Sequence, residues 1–163
     1  MVNKLLIQIS SKVGGEPWAI NQLPFTNVPT MICSFDMKSE QNLLSFVATY
    51  NNTFTKYTPL TRVGADYSKS LSECMSKSID SFYKKNKVPI SHIIIFREGL
   101  SKGQMEKEVS MAIPAFKKGF ASFGLTKEQY PKITYIFLSK KINTKLFNYD
   151  KNNYSNCSPG NIN

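Results

Sequence analysis

The chain has 163 residues, enough for one compact domain, and its 21 lysines and arginines against 11 acids give a formal charge of +10. That excess points to a polyanionic partner rather than a neutral one. The composition argues against several site chemistries: one histidine, His92, and three widely spaced cysteines, Cys33, Cys74 and Cys157, supply no zinc spacing and no Ser/His/Asp or Cys/His set. The thiols read as reduced and intracellular. No apolar run approaches the length of a membrane span, and the opening "MVNKLLIQISSKVGG" is broken by Gln8 and lacks the long apolar core of a signal peptide.

In chain order, "TMICSFD" (30 to 36) predicts a buried strand and "LSFVATY" (44 to 50) a second. A tight turn at Asn51 and Asn52 then leads into an alternating third, "TFTKYTPLT", to make an antiparallel meander. Beyond Gly64 the period changes. Tyr67, Leu71, Cys74, Met75, Ile79, Phe82 and Tyr83 recur at helical spacing and predict a helix of about twenty residues on the sheet.

The stretch "IIIFREGLSKGQ" (93 to 104) is a strand buried on both faces that ends in Arg97, Glu98 and a glycine turn. From Gln104 a second helix carries Met105, Val109, Ala112, Ile113, Phe116, Phe120 and Phe123 on one face, with a kink or restart expected at Pro114. "KITYIFLSK" (132 to 140) is a last buried strand, followed by a polar tail read as loop. The order is α/β with a mixed sheet and suits an RNase H-like fold. Its first and fourth strands would then lie side by side and parallel, with Asp36 and Glu98 facing one another at about 4.8 Å of strand spacing. Two such carboxylates are what a pair of divalent ions, Mg²⁺ or Mn²⁺, requires.

Several motifs together resemble the Piwi domain of the Piwi/Argonaute family, and its Piwi branch in particular. They are "KVGGEPW" at 12 to 18, "SFDMK", "SFVATYN", "SIDSFYKKNKVPISHIIIFREGLSKGQ", "FLSKKINTKLF", and "SPG" at 158 to 160. The likeness runs through nearly the whole chain and implies a partial, RNase H-like Piwi domain over 1–163, with 1–28 as a leading segment from the MID side. It implies a small guide RNA and a paired target RNA as partners, silencing proteins beside them, no membrane, and an intracellular place in cytoplasm or nucleus.

The resemblance puts the first catalytic Asp on Asp36. The second falls on Glu98 where the family has Asp, and the inserted glutamate on Asp66. A last metal ligand, His or Asp, belongs to a stretch beyond this sequence. Misplacing a catalytic group by about 1 Å can cost on the order of a hundredfold, so Mg²⁺ or Mn²⁺ at Asp36 and Glu98 is expected to be held weakly and cutting to be weakened or lost. The alternative the resemblance leaves open is a metal-dependent, RNA-guided endoribonuclease in the full-length protein. For RNA binding it implies Lys12 at the guide's 5′ phosphate with Gln8 one helical turn before it, and Lys140, Lys141, Asn143 and Lys145 along the guide backbone, where lysines act as point charges on phosphate.

Overall fold

The computed structural model describes residues 2–20, 23, 27–64, 66–140, 143, 145–150 and 153–158. After helix α1 (Val2–Lys12) come strands β1 (Thr30–Lys38), β2 (Leu43–Thr49) and β3 (Tyr57–Val63), helix α2 (Tyr67–Asn86), β4 (His92–Glu98), helix α3 (Lys102–Phe123), β5 (Lys132–Leu138), and the short strands β6 (Phe147–Asp150) and β7 (Asn153–Asn156). The main sheet has the order β3-β2-β1-β4-β5. The meander pairs antiparallel, whereas β1, β4 and β5 run parallel. This is the mixed, helix-flanked α/β sheet that the pattern of apolar residues predicts.

Period-two alternation assigns the faces. Met31, Cys33 and Phe35 of β1 and Ile93 and Ile95 of β4 lie in one core with Leu71, Met75, Ile79 and Phe82 of α2 and Phe116 and Phe120 of α3. Phe35 meets Phe116 edge-on at 5.9 Å between ring centroids. Both helices therefore cover the same face, and they pack closely because Gly119 has no side chain: a Cβ there would lie 2.6 Å from the Ser72 carbonyl oxygen.

Local chemistry sets the helix ends. Asp66 caps α2, its carboxylate accepting the Lys69 N–H at 2.9 Å. Gln104 reaches back to accept the Ser101 N–H at 3.0 Å and opens α3. α1 ends where Gly14 takes φ 87° and the Gly15 N–H returns to the Ser10 carbonyl at 2.8 Å.

Three expectations change. α3 runs unbroken through Pro114, because proline removes only the bond to the Ser110 carbonyl, and both residues lie on the exposed side where water replaces it. The meander's first turn is not a two-residue Asn-Asn turn but a loop over 50–56. It is organised by the buried Asn51, whose Oδ1 accepts the N–H groups of Thr55 and Lys56 at 3.1 and 3.0 Å. The tail read as polar loop carries the β6–β7 hairpin.

Candidate functional site: a cleft at the carboxyl ends of the parallel strands

The ladder between β1 and β4 ends at Ser34 and Phe96. Each strand nevertheless runs on against its other neighbour, β1 along β2 to Lys38 and β4 along β5 to Glu98. A cleft of about 910 Å³ opens there, lined among others by Asp36, Tyr67, Arg97, Glu98, Gln104 and Glu108. Such strand ends are where α/β sheets gather their ligand chemistry.

Asp36 and Glu98 each lie two residues beyond the last paired position, on neighbouring strands and with the same parity. They project away from the helix-covered face. Arg97, of opposite parity, is turned inward. Its side chain is 7% exposed and its Nη1 donates to Asp36 Oδ1 at 2.8 Å. The same Nη1 reaches the Glu98 carbonyl at 3.2 Å, and Nε lies 3.4 Å from Glu108 Oε1. The guanidinium sits 5.1 Å from the centre of the Phe35 ring.

Glu108 is in turn fixed by the Tyr67 hydroxyl, which donates to it at 2.7 Å. Burial first, and this bond to a carboxylate second, push the Tyr67 phenol well above its ordinary range. The Tyr135 hydroxyl is buried with no hydrogen-bond partner among the described residues. Burial and the Glu108 charge raise it too, so both phenols stay protonated near neutral pH. At the outer rim Lys140 Nζ meets Glu98 Oε2 at 2.7 Å, with both side chains largely in solvent.

The donor set does not fit a resident divalent ion. Asp36 and Glu98 each give one oxygen to a protein cation, Arg97 and Lys140, and the third acid, Glu108, is shared between Tyr67 and the same Arg97. Among the described residues no group of three or more His, Cys, Asp or Glu is placed to hold a metal. A magnesium or manganese site needs several free oxygens around one point.

The residues singled out from sequence separate into three places. Asp36 and Glu98 come together as neighbours. Asp66 does not join them: it is not among the cleft-lining residues and its carboxylate is used as the cap of α2. Gln8 and Lys12 lie one turn apart on α1, both exposed. Lys140, Asn143 and Lys145 are exposed beyond β5, and Lys141 lies outside the described residues. Sequence reading passed over Glu108, the residue that anchors Arg97. An acid flanked by the apolar positions Met105, Val109 and Ala112 was the available signal.

The family model for the Piwi domain matches residues 1–162. The chain belongs to the Piwi domain family. Piwi-like protein Ago3 of Bombyx mori is 29% identical over 168 residues, covering 99% of this chain and 18% of that protein. Piwi-like protein 1 of Gallus gallus is 27% identical, with 99% and 19% covered. This Piwi sequence thus spans about a fifth of the length of the curated relatives it matches. Its fold is that of the N. crassa QDE-2 AGO MID-PIWI domains, with a TM-score of 0.69 at 17% identity over 83% of this chain and 42% of that one. It is also that of Drosophila Piwi, with a TM-score of 0.62 at 20% identity over 82% and 19%. The Kluyveromyces polysporus Argonaute, whose crystal structure contains a guide RNA, gives a TM-score of 0.67 at 16% identity over 93% and 20%.

Proposed function

We propose that this Piwi domain holds a small guide RNA in RNA-guided silencing and, in this form, does not cut the paired target. The observation that carries the reading is the pairing of both strand-end carboxylates with protein cations, Asp36 with Arg97 and Glu98 with Lys140. Each pairing competes with metal for one carboxylate oxygen at the position where a divalent ion would have to bind. The phosphate-facing set remains outside that network: Gln8 and Lys12 lie exposed on α1, with Lys145 and Asn143 exposed beyond β5. Lysine contacts position an RNA strand without reading its bases, and each should add about one unit to the salt dependence of binding. Silencing proteins would act on the assembled guide complex.

A second reading, a metal-dependent endoribonuclease in the longer protein, is favoured by one observation: Asp36 and Glu98 stand at the same level on adjacent parallel strands. Mg²⁺ or Mn²⁺ would then need oxygen donors from outside the described residues and release of Asp36 by Arg97. Two measurements on the whole chain separate the readings. Binding of a short 5′-phosphorylated RNA across a salt series should weaken steeply and lose slope in the Lys12→Ala, Lys145→Ala variant. Incubation of guide-loaded protein with a paired target in Mn²⁺ should give no cleavage. Cleavage that disappears in Asp36→Asn would decide for the nuclease.

A further inference from the structure

The β6–β7 hairpin forms a two-stranded sheet of its own, separate from the main sheet. In its register Phe147 faces Asn156, Asn148 faces Ser155, Tyr149 faces Tyr154 and Asp150 faces Asn153. Alternation then sorts the ribbon into two faces. Asn148, Asp150, Asn153 and Ser155 share one, which is wholly polar. Phe147, Tyr149 and Tyr154 share the other with Asn156. The two tyrosine rings stand 5.0 Å apart at 39°. All three rings are exposed, Phe147 at 54%, Tyr149 at 62% and Tyr154 at 75%, and none belongs to the hydrophobic core.

We infer that this aromatic face is a base-stacking platform for single-stranded RNA, continuing the basic run that begins at Lys140. The inference rests on the guide-RNA reading and adds to it a site that grips bases rather than phosphates. Three observations favour a nucleic acid over a protein surface as the occupant. The face is built of rings and an amide, with no aliphatic side chain among the paired positions, whereas a face made to enter a protein core would carry Val, Ile or Leu. Tyrosine offers a flat π-face on which any base can stack, as a sequence-tolerant surface requires. Exposed Lys145 stands two residues before β6, and exposed Lys140 two residues past the end of β5, in a chain of net charge +10. A phosphate held at Lys145 would leave its neighbouring bases next to the ribbon that starts at Phe147. A lone two-stranded ribbon is marginally stable in water, so a stacked ligand would also order it.

The test separates base from backbone contributions. The full chain, Tyr149→Ala/Tyr154→Ala and Tyr149→Phe/Tyr154→Phe are titrated with a short 5′-phosphorylated RNA and with an abasic strand of equal length and charge, each over a salt series. The wild type should prefer the RNA. The alanine variant should bind RNA at least about tenfold more weakly, the order supplied by one or two stacked bases, with unchanged abasic binding and unchanged salt slope. The phenylalanine variant should keep wild-type affinity. Asn148→Ala/Ser155→Ala, on the polar face, controls for the ribbon as such and should bind normally.

Equal RNA affinity in the alanine variant, or indifference of the wild type to the presence of bases, overturns the platform. An equal loss in the polar-face variant overturns it also, because the ribbon would then matter only as structure. Concentration-dependent self-association that Tyr149→Ala/Tyr154→Ala abolishes, with RNA binding unchanged, would assign the face to protein. Failure of the wild type to bind either strand at low salt would instead defeat the guide-RNA reading on which the platform stands.

Discussion

Two polar clusters hold this molecule together in opposite ways. At the carboxyl end of the sheet one buried cation, Arg97, gathers Asp36, Glu108 and a carbonyl. At the other end of the meander one anion, Glu16, gathers three neutral donors and one cation: Oε2 accepts from Thr55 at 2.6 Å and from Thr53 and Asn51 at 3.0 Å, while Oε1 meets Lys56 Nζ at 3.0 Å. The first cluster removes a charge from water and so depends on its partners to repay desolvation. The second leaves its charge a third exposed and depends on geometry, fastening the segment after α1 to the β2–β3 loop. Charge burial makes a cluster intolerant of losing one member. A carboxylate left partly in solvent depends less on any one of its own partners.

The sharpest test of that contrast is Arg97→Met, which leaves Glu108, 14% exposed, with only the Tyr67 hydroxyl. It should cost about 3–5 kcal/mol in urea unfolding, the range for stripping one partner from a buried charge. Adding Glu108→Gln to it should recover part of the loss. A cost under about 1 kcal/mol would mean the cluster is solvated and the contrast empty.

Asn51→Ala should follow at about 2 kcal/mol by the same measurement, because the Thr55 and Lys56 N–H groups lose their acceptor inside the loop. Asp66→Ala, outside both clusters, should cost about 1 kcal/mol as a lost helix cap and leave RNA binding unchanged. An effect on metal or RNA binding there would return Asp66 to the site.

Glu16→Gln should be the mildest of these changes, with its cost present at neutral pH and shrinking toward acid. Hydrogen bonds from Thr55, Lys56 and Thr53 lower the Glu16 carboxyl from 4.5 to about 2. A carboxyl depressed by folding adds stability that is complete above its unfolded value and is lost as pH falls through the folded one. The wild type should therefore lose stability between about pH 4.5 and 2, and thermal melts of Glu16→Gln should be flatter across that window.

Much of the fold was legible because it depends on near neighbours. The period change after Gly64, the unbroken run Ile93–Phe96 and the helical stripe from Met105 gave the strand and helix order, and that order implied that Asp36 and Glu98 are neighbours. The two clusters were not legible. Asn51 lies 35 residues from Glu16, Tyr67 lies 41 from Glu108, and Arg97 lies 61 from Asp36. A side chain's partner across such distances leaves no periodic trace. The hairpin was missed for another reason: residues 147–156 are polar or singly aromatic, so their alternation is set by cross-strand pairing rather than by a buried face.

The sequence by itself determined the α/β order, the parallel placement of β1 beside β4 and the family, because hydrophobic periodicity and the local chemistry of caps and turns are written in adjacent residues. Tertiary structure alone decided which groups the strand-end acids meet. Once β1 and β4 part beyond Ser34 and Phe96, a guanidinium from β4 reaches across to Asp36 at the floor of the cleft. Whether a carboxylate is free to take a metal depends on which cation lies within 3 Å of it, and that is a property of the packed molecule.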